Sequence, residues 1–335
     1  MLKNKVFAVV LSLILVFGVT GCDIAGLGED KAENYFENSF KKYSPKKIVT
    51  YQPPVDISET SIAPFSKDLC VISPKDVKST DPLLNAASTL IFDQTSKEVL
   101  YANGIYDKLY PASVTKIVSA LVAYKYGNPD DIVTFSYAAS HITEPGAKLC
   151  GFMEGDKIRL GDLIECMLIY SGNDAAQAIA EHIGGSVEGF ADMMNRECKE
   201  LGATHSNFVN PHGLHNENHY TTTYDMYIVF QELLKNDAFV ETVHKSSYVA
   251  VYTNALGETV DKTFETTNRF LLGTMSSPEG VTVIGGKTGT TGLAGSCLIL
   301  YSKGADNHDY VSVVFKADNA DDLYNQMFHL MEFER

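Results

Sequence analysis

Positive charge is scarce in this chain: 27 lysines and arginines stand against 42 aspartates and glutamates, a net charge of −15. A nucleic-acid partner needs a basic patch to neutralise phosphates. The only basic run is the short group Lys41, Lys42, Lys46 and Lys47, so no nucleic acid is expected. No internal repeat is visible, which excludes a stacked solenoid. Cysteines are few as well. Setting Cys22 aside leaves Cys70, Cys150, Cys166, Cys198 and Cys297. Five is odd, so a fully paired disulfide framework within the chain is excluded. Cys166 and Cys198 sit in apolar, helix-periodic stretches and are expected as buried free thiols.

Long apolar runs are nearly absent too. The exception is "VFAVVLSLILVFGV" near the start, preceded by Lys3 and Lys5 and closed by "VTGC" at Cys22. It is short for a membrane span and runs straight into acidic residues, the pattern of an export signal. The closing tetrad resembles a bacterial lipobox, whose cysteine is acylated and becomes the new N-terminus. Residues 1–21 are therefore expected to be a signal peptide and Cys22 the lipidation site. The acyl chains would make the membrane a partner and hold the protein, outside the cytoplasm, on its surface.

What remains is a chain of 335 residues with 45% apolar content, enough for a full core. Residues 22–82 mix charge runs with "YQPPVD", "ISPKD" and "STDPLL" and form a tether, with a short helix around 32–40. The globular part is expected over 83–335. "STLIFDQTSKEVLYA" is a hairpin turning at 94–97. A helix follows over 112–126. Residues 130–245 are expected to be a mainly helical lobe, with two helices broken at Ser171-Gly172-Asn173. Strand signals return in "SYVAVYTN", "VIGGKTGTTG", "SCLILYSKG" and "DYVSVVFKA", and "ADDLYNQMFHLMEF" closes as an amphipathic helix. The expected class is α/β in the α+β sense. One antiparallel sheet built from both chain ends is flanked by helices, with an all-helical lobe inserted.

Lys116 is the odd member of "PASVTKIVSAL", a charge among residues that want a core. A serine attacks a carbonyl only if something takes its proton. Residues i and i+3 of a helix share a face, so Lys116 can reach the Ser113 hydroxyl. The spacing alone proves little, because Ser39/Lys42 and Ser44/Lys47 in the tether share it. Two further motifs distinguish Ser113. Ser171-Gly172-Asn173 stands at a helix break, and Lys287-Thr288-Gly289 lies in a strand among Gly285, Gly286 and Gly292. Small residues there permit close backbone approach of a ligand.

Together the three motifs, in this order and in these elements, resemble the low-molecular-mass penicillin-binding proteins, the serine D-alanyl-D-alanine carboxypeptidases. The resemblance covers roughly residues 86–314 and includes "YPASVTK", "LIYSGNDAA", "NPHGL" and "GGKTGTTGLAG". It implies the β-lactamase-like transpeptidase fold. It also implies removal of the terminal D-alanine from peptidoglycan stem peptides through an acyl-enzyme, and acylation by β-lactams. Ser113 would be the nucleophile and Lys116 its base, with Lys287 helping to lower the Lys116 pKa. Ser171 would relay a proton to the leaving amine, held by Lys287. Asn173 would bind the substrate backbone. Thr288 and Thr290, with Gly289 between them, would hold its terminal carboxylate, and the Ser113 and Thr290 N–H groups would form the oxyanion hole. No cofactor is implied. Many members carry a C-terminal β-domain and amphipathic anchor, which are not expected here.

Alternatives stay open. A D,D-endopeptidase would use the same residues. A β-lactamase of class A needs a glutamate for its deacylating water, and "GATHSNFVNPHGL" carries no acid. A non-catalytic penicillin-binding lipoprotein would not need intact motifs. His212, His215 and His219 suggest zinc by spacing, but carboxylate or thiolate companions at ligand spacing are not evident, and no metal is expected. Asp174 is expected to cap the helix after the break, and Tyr101, Tyr106 and Tyr110 to serve packing.

Overall fold

The computed structural model describes residues 81–335. The expected signal peptide, Cys22, the tether up to residue 80 with its short helix, and Cys70 lie outside the described residues. Strands β1 (Ser88–Asp93) and β2 (Glu98–Asn103) form the expected hairpin. They join β7 (Thr282–Thr291), β8 (Gly295–Lys303) and β9 (Asp309–Ala317) in a sheet of order β2-β1-β9-β8-β7. Every neighbouring pair is antiparallel. Both ends of the described chain thus build one layer.

The period of two divides its side chains between two cores. Leu90, Phe92, Ile299, Val313 and Phe315 face the helical side. Ile91, Leu298, Leu300 and Val314 face the closing helix α8 (Ala320–Met331), whose Leu323, Met327 and Leu330 cover them. Between the sheet's two halves lie α1 (Lys116–Tyr126), α2 (Tyr137–Ser140), α3 (Leu160–Glu165), α4 (Asn173–Gly184), α5 (Val187–Leu201), α6 (Thr223–Leu233) and α7 (Asp237–His244). Positions 116 to 123 of α1 are all buried, so this helix is the hub of the core rather than an amphipathic surface helix.

The inserted lobe is not all helical. Strands β3 (Ile132–Thr134) and β4 (Lys157–Arg159) fall within it. They pair with β5 (Ser247–Thr253) and β6 (Thr259–Glu265) in a second, four-stranded sheet of order β3-β4-β5-β6. "SYVAVYTN" therefore belongs to this second sheet, not to the main one. Three-residue strands carry too little alternation to stand out in a sequence, and β6, "TVDKTFE", is mostly polar because one of its faces is solvated. Among the described residues Cys150, Cys166, Cys198 and Cys297 are buried free thiols. No helix among the described residues is long and apolar enough to cross a membrane.

Candidate active site

The turn before α1 opens on a strained residue. Ala112 takes φ +47, a left-handed conformation that costs a non-glycine residue about 1–2 kcal/mol. A single 3-10 turn over Ala112–Thr115 then presents Ser113, partly exposed, while Lys116 below it is fully buried. The loop carrying "NPHGL" presses on this turn: a Cβ at Gly213 (φ +86) would stand 1.8 Å from the Ala112 carbonyl oxygen. Only glycine fits there.

Lys116 Nζ lies 3.0 Å from Ser113 Oγ, 2.6 Å from Asn173 Oδ1 and 2.9 Å from the His212 carbonyl oxygen. The last two groups only accept hydrogen bonds. In the neutral amine both N–H bonds go to them, and the lone pair is left facing the serine hydroxyl. Burial brings the Lys116 pKa down to about 7, opposed by the Asp174 carboxylate and aided by the Lys148 ammonium. Lys148 is a second cation that the sequence did not point to. Lys287 is itself pushed well below the usual lysine range, by burial first and then by Lys116 and Lys148.

The second hydroxyl is also held by strain. Residues Cys166–Tyr170 form a single π turn, a feature frequent at functional sites, and Ser171 leaves it at φ +71, ψ +31. Its hydroxyl accepts from Lys287 Nζ at 2.9 Å, and Lys287 also donates to the Thr288 carbonyl at 3.0 Å. Lys287 comes from β7, the edge strand of the main sheet, on the same inner face as Gly285 and Gly289. A Cβ at Gly289 would meet the backbone nitrogens of Ser113 and Val114 at 2.8 Å. Glycine lets the strand lie directly against the start of the nucleophile helix.

Ser113, Ser171, Asn173, Thr288, Gly289 and Thr290 all line one cleft of about 410 Å³. Lys116 and Lys287 sit behind its wall, each bonded to a lining serine. All eight residues expected at the site therefore meet. Thr288 Oγ1 lies 2.5 Å from Thr267 Oγ1. Asp174 is not at the N-cap position, which is Gly172, but its Oδ1 accepts from the first-turn N–H of Ala175 at 2.9 Å, and the same carboxylate accepts from the N–H groups of Cys150 and Gly151, both at 2.8 Å. It ties the 148–151 segment to the site.

Sequence reasoning missed Thr267, Arg269 and Lys148, all of which line the cleft. No motif marks them; each enters through a loop. The three histidines do other work than expected of a zinc set. His212 supplies its carbonyl to Lys116. His219 Nδ1 accepts from the Val209 N–H at 3.2 Å, so its Nε2–H points at Thr115 Oγ1, 2.8 Å away. Burial lowers both rings to a pKa of about 3, leaving them neutral. His215 packs edge-on against Tyr110. Tyr101 is buried, as a packing residue would be, whereas Tyr106 is exposed and only its ring rests against Tyr224.

Residues 75–319 match the family model described as D-alanyl-D-alanine carboxypeptidase. The chain is 34% identical over 269 residues to D-alanyl-D-alanine carboxypeptidase DacF of Bacillus subtilis, covering 77% of this chain and 64% of that one. With DacC of Escherichia coli it shares 29% over 258 residues, covering 75% and 61%. It thus spans less than two thirds of the length of either relative. The crystal structure of the Streptomyces K15 DD-transpeptidase superposes with a TM-score of 0.70 at 25% identity, over 76% of this chain and 99% of that one.

Proposed function

The chain belongs to the D-alanyl-D-alanine carboxypeptidase family, and on that premise we propose that it removes the terminal D-alanine of peptidoglycan stem peptides through an ester on Ser113. Neutral Lys116 takes the hydroxyl proton as Ser113 Oγ attacks the carbonyl of the penultimate D-alanine. The tetrahedral oxyanion forms at the N-terminus of the nucleophile turn, where the N–H groups of Ser113 and Thr290 stabilise it. The C–N bond then breaks, and the departing amine receives the Ser171 proton, which Lys287 replaces. The proton on Lys116 passes to Lys287, which has given its own to the amine through Ser171. Water then hydrolyses the ester with the neutral Lys116 as base, and Lys116 hands the proton to Ser113 Oγ as the shortened peptide leaves.

The substrate's terminal carboxylate binds the Thr288 and Thr290 hydroxyls. Its charge favours the ammonium form of Lys287, which the empty site disfavours. Asn173 receives the peptide backbone. β-Lactams acylate the same hydroxyl, because their strained amide offers the same carbonyl. The enzyme works outside the cytoplasm, and the basic start, apolar run and "VTGC" support anchoring by lipid on Cys22.

One observation carries this reading: a buried amine 3.0 Å from a partly exposed serine, with its other acceptors already supplied. The direct test incubates the protein with a pentapeptide ending in D-Ala-D-Ala and measures free D-alanine. Release by the wild type and none by Ser113→Ala is expected; release that survives the substitution would refute the assignment. Against a β-lactamase stands the lining of the cleft, which contains no aspartate or glutamate among the described residues.

A further inference from the structure

Among the described residues the cleft is lined by two cations, Arg269 and Lys148, and by no carboxylate. Arg269 stands with Thr267 and Tyr324, its guanidinium 2.6 Å from Asp321 and over the Tyr324 ring. That is the side of Thr288, where the terminal carboxylate of the substrate is placed. A single carboxylate does not account for a second positive group on the other wall.

Lys148 is that group, and it is built in rather than loosely attached to the surface. Its carbonyl accepts from the Asn173 N–H at 2.7 Å, which locks its backbone to the Ser-Gly-Asn motif. Its ammonium sits 4.0 Å from the centre of the Tyr170 ring, next to Ser171. Among the described residues no carboxylate pairs with it. The Asp174 carboxylate that holds the adjoining segment is spent on the N–H groups of Cys150 and Gly151. Lys148 is exposed to the cleft and repels both buried lysines. An uncompensated cation at the mouth of a site is a standing electrostatic cost that an incoming anion removes.

We propose that Lys148 forms a subsite for a second carboxylate of the substrate, carried by the side chain of the residue that precedes the D-Ala-D-Ala pair. The inference rests on the peptidase reading above. It makes the preferred donor a peptide with an acidic side chain on the acyl side of the scissile bond, and it makes Lys148 a specificity-determining residue.

The test uses two acetylated tripeptides ending in D-Ala-D-Ala that differ in one group: 2-aminopimelic acid at the first position, or its side-chain carboxamide. D-Alanine release gives kcat/KM for each with wild type, Lys148→Gln and Lys148→Glu. The ratio within one variant cancels any loss of folded protein. The wild type should favour the carboxylate by about fivefold, the factor a partly exposed ion pair gives. The ratio should fall to about 1 in Lys148→Gln and invert in Lys148→Glu. Equal rates with the two peptides in the wild type, or a preference unchanged by Lys148→Gln, would overturn the proposal alone. No D-alanine from either peptide would overturn the peptidase reading and this inference with it.

Discussion

Lys287 Nζ and Ser171 Oγ, 116 residues apart in the chain, stand 2.9 Å from each other with both side chains buried. Neither has a reason to be there as a core residue. A lysine buried on an edge strand and a serine in a left-handed turn are each unfavourable alone, and their pairing gives each a hydrogen-bond partner.

If that pair returns the proton to the leaving amine, Ser171→Ala should lower D-alanine release by on the order of 10²–10⁴-fold, the usual effect of losing an acid–base group. Steady-state kinetics on the pentapeptide checks it. A rate within a factor of two of wild type would remove Ser171 from the proton path.

Lys116 must be neutral to accept a proton. With its pKa at about 7, the rate of acylation by a β-lactam should level off above that pH and fall tenfold per unit below it. Lys148 adds to the lowering, so Lys148→Gln should move the midpoint to higher pH. Stopped-flow acylation across pH 5–9 (roughly the range where a lysine of this kind titrates) reads both. A midpoint that moves down in the variant would contradict the sign.

A Cβ at Gly289 would run into backbone alone, Ser113 N and Val114 N at 2.8 Å and the Pro111 carbonyl oxygen at 2.9 Å. Gly289→Ala must push β7 away from Ser113, and displacement of about 1 Å commonly costs on the order of 10²-fold in rate. Labelling with a fluorescent penicillin measures this, and an unchanged acylation rate would show that the strand need not lie so close.

Glu334 is buried at the far side of the main sheet, with Oε1 accepting from Ser302 and Ser312 and Oε2 without a partner among the described residues. Burial raises its pKa to about 7 from an ordinary 4.5. A raised carboxyl pKa means the folded state holds the proton more tightly than the unfolded state does. Its contribution is therefore fully present below pH 4.5 and is lost as pH rises to about 7, on the order of 3 kcal/mol at most. Glu334→Gln, which carries no titratable proton, should gain stability relative to wild type between pH 5 and pH 8. Urea melts at the two values compare them; a constant difference would contradict the assignment.

Anchoring has its own check. Cys22→Ser should release the protein from bacterial membranes into the soluble fraction, as loss of buried acyl chains requires. Retention in the membrane pellet would rule out the lipid.

Much of this was legible in the sequence because it is local. Ser113 and Lys116 share a face by helical spacing alone. The hairpin, α5 with its end at Gly202, and the closing helix follow from periodicity and breakers. The strand holding Lys287 follows from its small residues and its apolar neighbours. The second sheet was not legible, since its strands are short or polar on one face, and neither were the bonds of Asp174 to Cys150 and Gly151, which lie more than twenty residues upstream.

The chain's own order of residues determined which chemical groups exist and which element carries each one, since those depend on neighbours a few positions away. Tertiary structure decided what the groups are worth. Total burial turns Lys116 from a surface ammonium into a base, and contacts 57 and 96 residues distant supply the acceptors that orient it. The charge of a side chain depends on the medium around it, and that medium is assembled from residues no local pattern connects.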